Sequence, residues 1–159
     1  MTWGKFLTFA AVSLGAASPA AADSARISGL ADINFGSIVN AVDQTSSQSV
    51  IVCSYKNNPQ NLPYSVTATG SGTASAFQLS SGAALLPYDV QWASAAGQTG
   101  GTLLQAGSPA AGFGNGADGF ACPTQGANAS LTVTIRSADI AMAPAGTYTG
   151  TLQLMIVPQ

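Results

Sequence analysis

Hydrophobic and polar residues alternate along much of this 159-residue chain, with the period of two that belongs to strands rather than the 3.6 of helices. In Ser130-Leu131-Thr132-Val133-Thr134-Ile135-Arg136, the residues Leu131, Val133 and Ile135 share one face. Ser130, Thr132, Thr134 and Arg136 share the other, which predicts a strand with one core face and one wet face. Ile27, Ala31, Ile33 and Phe35 form a similar row, and Val50 and Val52 face away from Ile51 and Cys53. From Gly146 the chain reads G-T-Y-T-G-T-L-Q-L-M-I-V-P-Q, which puts Tyr148, Leu152, Leu154 and Ile156 at even spacings on one face. Strands are predicted over 25–35, 48–54, 64–70, 77–79, 88–93, 129–136 and 147–157, with a weaker one over 102–105. Val, Ile, Thr and Tyr fill them, Gly, Asn, Pro and Ser separate them, and helix punctuation is almost absent. The pattern predicts an all-β, two-sheet sandwich. Residues 95–125 are dominated by turn formers and read as a long surface excursion.

The terminal strand poses a pairing problem. It is hydrophobic and nothing follows it, so a partner for its far edge and a cover for the core beside it are expected to come from elsewhere.

At the other end, Lys5 precedes an apolar run over 6–17, and Ala20-Ala21-Ala22 offers small residues at a cleavage position. Residues 1–22 are therefore expected to be a signal peptide, with the mature chain starting near Asp23. An uncleaved anchor fits less well, because the run is shorter than the ~20 apolar residues of a spanning helix. Residues 23–159 suffice for one domain, and none of their stretches approaches transmembrane length. An exported product is expected, with no transmembrane segment after cleavage.

Charge is sparse: four Lys and Arg, six acidic residues that are all aspartate, no histidine, and a formal net charge of −2. Outside the leader the bases are Arg26, Lys56 and Arg136 alone. There is no cationic footprint for nucleic acid or anionic lipid. Such a surface suits a protein that packs against copies of itself, and it is equally common in ordinary secreted β proteins. The two cysteines, Cys53 and Cys122, form an even count that favours a disulfide in an exported chain. Closing a loop of this length stabilises by roughly 4 kcal/mol in the chain-entropy account. Two buried thiols or a redox pair are the rival readings, and the redox pair lacks a C-x-x-C arrangement.

The missing residue types limit chemistry. Without His or Glu, the usual general bases and zinc ligands are unavailable, and no catalytic residue, metal site or cofactor is expected. The aspartates are scattered singly, with no D-x-D pair or calcium-loop spacing. Asp89 reads as a strand-edge carboxylate and Asp118 as a turn former. Gly112-Phe113-Gly114-Asn115-Gly116 has neither the lysine nor the helix of a phosphate loop. Asn128-Ala129-Ser130 matches a glycosylation acceptor, relevant only in a pathway that glycosylates. Tyr88, Trp92, Phe113 and Phe120 read first as sandwich core and second as a contact platform.

Four stretches, taken in order, resemble the Spore Coat Protein U family, which includes subunits of archaic chaperone–usher pili. They are Asp32-Ile33-Asn34-Phe35-Gly36-Ser37, Ser49-Val50-Ile51-Val52-Cys53, Leu86-Pro87-Tyr88-Asp89-Val90, and Pro144-Ala145-Gly146-Thr147-Tyr148-Thr149-Gly150-Thr151-Leu152. Their order and spacing cover nearly all of 23–159. The resemblance implies an incomplete immunoglobulin-like sandwich lacking its last strand. A hydrophobic groove lined by Tyr148, Leu152, Leu154 and Ile156 would accept a donor strand, first from a periplasmic chaperone and then, at an outer-membrane usher, from a neighbouring pilus subunit.

Two departures from the family pattern bear on position in a fibre. The first strand carries no cysteine, which shifts the implied disulfide partner of Cys53 to Cys122. Counted from Ile27, only Asp23 to Arg26 precede that strand, so a donor extension is lacking and a tip or minor subunit is implied. The expected function is thus a structural or adhesive subunit of a surface fibre, not an enzyme, with a role in cell adhesion and biofilm. The alternatives are a self-complete secreted sandwich that binds carbohydrate or a surface through Trp92 and the 95–125 loops, and a spore or cyst coat protein.

Overall fold

The computed structural model describes residues 24–55, 63–116 and 126–159. The elements are β1 (Ser24–Ser28), β2 (Gln44–Tyr55), β3 (Tyr64–Gly70), β4 (Gln78–Ser81), β5 (Ala84–Pro87) and β6 (Asp89–Ala93), followed by β7 (Thr102–Leu103), β8 (Pro109–Phe113), β9 (Ala129–Ile135), α1 (Ser137–Met142) and β10 (Leu152–Pro158). All strand pairs are antiparallel. One sheet has the order β1-β2-β9-β6-β7, a second the order β10-β3-β8, and β4 and β5 form a separate hairpin.

Period-two alternation decides which residues meet between the sheets. Val50, Val52, Val90, Trp92, Leu131, Val133 and Ile135 enter the core from the five-stranded sheet. Tyr64, Val66, Ala68 and Phe113 enter it from the three-stranded one. Each fully covered aliphatic or aromatic side chain adds roughly 1.5–3 kcal/mol. Trp92 and Tyr64 join the two sheets directly: the rings meet edge to face at 6.5 Å, and the indole Nε1 donates to the Tyr64 hydroxyl at 3.2 Å. Tyr64 also packs on Phe113 at 5.9 Å.

The structure departs from the alternation in four places. First, the polar face of β9 is not wet: Ser130 and Thr132 are each 1% exposed. β9 lies in mid-sheet between β2 and β6, and the chain leaving β6 folds back over it. Ser130 Oγ donates to the Ala95 carbonyl at 2.8 Å and accepts from the Gln98 amide at 3.0 Å. Thr132 Oγ1 donates to Ser47 Oγ at 3.0 Å, and the Thr45 and Thr134 hydroxyls share a bond of 3.0 Å. Hydroxyls that satisfy one another can be buried at little cost.

Second, the strand expected over 25–35 ends at Ser28. Gly29 adopts φ 84°, a left-handed turn that suits glycine. Beyond it the Gln48 side chain holds Ala31 at both backbone groups, accepting its N–H at 2.9 Å and donating to its carbonyl at 3.3 Å. Ile33, Phe35 and Ile38 still reach the core without a regular strand. Third, the 95–125 stretch contains β8, paired to β3. Its composition of Pro, Ala and Gly conceals a strand because β3 supplies the ladder and Phe113 the anchor. Fourth, 137–142 is helical. Its start is organised from outside, since Asp43 Oδ1 accepts the Ser137 N–H at 2.7 Å.

Asp89 likewise stands not on a sheet edge but at the start of an interior strand. Its Oδ2 accepts from Arg136 Nε at 2.7 Å, while Arg136 Nη1 reaches Asp43 at 3.4 Å. The Ser137 backbone N–H, helped by the Ser137 hydroxyl and Arg136, holds the Asp43 carboxyl below its ordinary value. Asp43 therefore stabilises the fold above the unfolded-state value of about 3.9, and that stability is lost as pH falls through the lower folded value. An acid titration of the unfolding midpoint is expected to lose part of its steepness in this window on Asp43→Asn.

Asn128 is committed to structure rather than to glycan attachment. Its Oδ1 accepts the Val52 N–H at 2.8 Å, and its Nδ2 donates to the carbonyls of Val52 at 2.8 Å and Asn115 at 2.7 Å. This side chain continues the β2–β9 ladder past its last residue pair. Asn128→Ala, which leaves the N–H and carbonyl of the buried Val52 unmatched, is expected to cost about 1–3 kcal/mol in urea unfolding, against little change for Asn34→Ala.

Candidate functional site

The two larger sheets have four outer edges among the described residues, and three of the four are guarded. β1 carries Arg26, β7 is two residues long, and β8 contains Pro109 and Gly112. These are the devices by which edge strands avoid further pairing. β10, of sequence LQLMIVP, carries no charge and has proline only near its end. It pairs with β3 over its whole length, from Leu152 opposite Gly70 to Pro158 opposite Tyr64. Its other edge has no strand partner among the described residues.

The cover over β10 is as incomplete as its pairing. Leu152, Leu154 and Ile156 point inward and pack against the core, yet all three are only half-buried. Their neighbours on β3, Tyr64, Val66 and Ala68, are 0% exposed. On the outer face Met155 is 56% and Val157 42% exposed. β1, the near edge of the other sheet, comes within 8 Å of β10 between Cα atoms without being hydrogen-bonded to it. The two free edges thus face each other across one side of the sandwich, and Ile27 of β1 packs against the core.

Of the four residues expected to share an apolar face, the structure brings Leu152, Leu154 and Ile156 together on β10 and sets Tyr148 apart. The strand expected over 147–157 is two pieces. Thr149 bridges Ser80 of β4 through backbone bonds of 2.8 and 3.0 Å, and β10 begins only at Leu152. Gly150 sits between them, where a Cβ would lie 2.9 Å from Leu79 and 3.0 Å from the Gln78 carbonyl. Tyr148 packs against the core from this approach segment, and its hydroxyl donates to the Pro144 carbonyl at 2.8 Å. Sequence reasoning missed β1 as a neighbour of β10, and no local signal marks it, because the two are brought together only by the packing of the sheets.

The remaining candidates divide as follows. Cys53 is 6% exposed and is not a free thiol. Cys122, Phe120 and Asp118 lie outside the described residues, as does the expected 1–22 leader. Trp92 is 0% exposed, so the carbohydrate reading loses its aromatic platform to the core. Tyr88 is buried against Phe77, with ring centroids 5.7 Å apart. A cavity of about 190 Å³ lies along the β3–β10 pair, lined by Thr67, Thr69, Gln153, Leu154 and Met155. That uncharged lining holds no acid or base beside its two threonine hydroxyls.

Partial cover has a measurable consequence. Ile156→Ala removes more side chain than Val66→Ala, but from a half-exposed site, so it is expected to cost no more than about 1–2 kcal/mol against roughly 2–3 for Val66→Ala. Denaturant midpoints of the two variants compare these costs.

Comparison with known proteins fits this architecture. No curated protein matches the chain. A chain from the structure of a chaperone–tip adhesin complex, described as vital for synergistic activation of CFA/I fimbriae biogenesis, has the same fold with a TM-score of 0.51 and 14% identity. The similarity covers 85% of this chain and 41% of that one. No helix among the described residues is long and apolar enough to cross a membrane. The Spore Coat Protein U domain family matches residues 11–155, and with its incomplete immunoglobulin-like sandwich the chain belongs to that family.

Proposed function

We propose that this protein is an exported structural subunit of a surface fibre, and that the open side between β10 and β1 accepts a strand from another polypeptide. The observation that carries the reading is β10 itself: uncharged, paired on one edge, and half-covered on its inner face. A donor strand would complete the backbone ladder along the free edge, and alternate apolar side chains would cover Leu152, Leu154 and Ile156. Tyr148 borders this groove at the approach to β10. The donors would be a periplasmic chaperone during export and a neighbouring subunit after transfer at an outer-membrane usher. A disulfide between Cys53 and Cys122 would brace the end of the sandwich where β2 stops and β9 starts.

Strand entry carries a geometric demand. A strand added to the β10 ladder lies ~4.8 Å from β10 and enters a seam where β1 already comes within 8 Å of β10. The seam must therefore open, and donor binding is expected to be slow and then persistent. Residues 24–28 are already paired with β2, so they are not available to a neighbour as a donor. That commitment favours a tip or minor position over a bulk rod position.

Thermal unfolding of the non-reduced protein with a synthetic peptide of alternating apolar and polar residues tests the reading. An upward shift of the midpoint is expected, growing with peptide concentration by about 2.7 kcal/mol at one hundred times Kd. Leu154→Asp, which places a charge on the inner face of β10, is expected to abolish the shift. A stable monomer with the same midpoint with and without peptide would overturn the proposal.

A further inference from the structure

Asn115-Gly116 is the one Asn-Gly pair in the chain, and it lies just past β8 in a run that the fibre function leaves unused. Asn115 is exposed, with a left-handed φ of 61°. Gly116 has no side chain to crowd its own amide, and no hydrogen bond among the described residues engages its N–H. The Asn115 side chain is held in place by Nδ2 donating to the Ser94 carbonyl at 2.9 Å. A nucleophilic amide thus stands next to an accessible side-chain carbonyl carbon, in the one place where no neighbouring Cβ shields it.

We propose that Asn115 is a site of spontaneous deamidation in the folded protein. The Gly116 nitrogen, on losing its proton, forms a bond to Asn115 Cγ; the Cγ–Nδ2 bond breaks, and Nδ2 takes up a proton and leaves as ammonia. Water then adds to either carbonyl of the five-membered imide, breaking one of its C–N bonds and giving aspartate or isoaspartate. The step needs water and hydroxide alone. This inference is independent of the fibre reading.

The position gives the reaction a structural effect. Either product loses the amide donor to the Ser94 carbonyl and sets a carboxylate against that acceptor. Isoaspartate also adds a methylene to the main chain, which displaces the Asn115 carbonyl from Asn128 Nδ2, now 2.7 Å away. Asn128 is the residue that grips both backbone groups of Val52. Ageing at Asn115 therefore loosens the joint between the ends of β8 and β6 and the β2–β9 pair. Asn34 and Asn128 are followed by Phe35 and Ala129, whose Cβ atoms crowd the attacking amide as Gly116 does not.

The test is incubation of the full folded chain at mildly alkaline pH, followed by isoelectric focusing, ammonia assay and peptide mapping with isoaspartate detection. One added negative charge on a chain of net charge −2 is expected to produce a discrete acidic band. Ammonia release should match that band, and the modification should map to Asn115. Asn115→Gln and Gly116→Ala are each expected to lose the band, and Asn115→Asp is expected to shift the thermal midpoint down towards that of the aged protein. An acidic band that persists in both blocking variants overturns the proposal. So does an Asn115 that stays intact in the folded chain while it deamidates in urea.

Discussion

Leu152, Leu154 and Ile156 are apolar, face inward, and have one strand beside them instead of two. Backbone groups and apolar faces both demand partners, and among the described residues only β3 meets the demand for a ladder at β10. The arrangement of the rest of the molecule follows from how it copes with that shortfall. β1 closes in from the other sheet, and Tyr148, Ile33, Phe35 and Ile38 gather around the core as partly buried side chains. None of them supplies a ladder to the open edge.

The contrast with the opposite side of the sandwich is instructive. There the pairing of β2, β9 and β6 is complete, all seven residues of β9 are buried, and even the polar face is satisfied, Ser130 by the strap after β6 and Thr132 by Ser47 of β2. The Trp92–Tyr64 contact ties that finished sheet to β3, the strand on which β10 depends. A rigid scaffold therefore presents a strand that is fixed on one side and unfinished on the other. Such a division is what the proposed strand addition would require, an acceptor that holds its shape while one edge remains available.

Charge plays a small and local part. Arg136 with Asp89 and Asp43 makes one exposed cluster at the end where β9 gives way to α1, and exposed pairs of this kind contribute little to stability. Their effect is positional, since Asp43 supplies the acceptor that starts α1 and thereby sets where the chain turns towards β10. Asn128 performs the equivalent service at the opposite end, extending a ladder with a side chain where the backbone pairing stops.

The strands with strong alternation were legible in the sequence. β3 has the predicted bounds, β9 and β6 differ by a residue at an end, and Leu152, Leu154 and Ile156 share a face because a period of two leaves no other choice. The order of short motifs pointed to the family and its incomplete sandwich although only 49–53 and most of 86–90 lie in strands, while 32–37 and nearly all of 144–152 are irregular chain packed beside them. What alternation cannot encode is what lies on top of a face or beside an edge. Thr132 is buried because β9 sits in mid-sheet under a folded-back strap, Trp92 is core because Tyr64 stands opposite it, and β8 is a strand because β3 lends it a ladder. The break between Tyr148 and β10 was equally hidden, because it comes from the Thr149–Ser80 bridge across the chain. Local sequence determined which residues form strands and which way they face; only the tertiary structure decided which edges and faces are covered, because cover is supplied by residues far away in the chain.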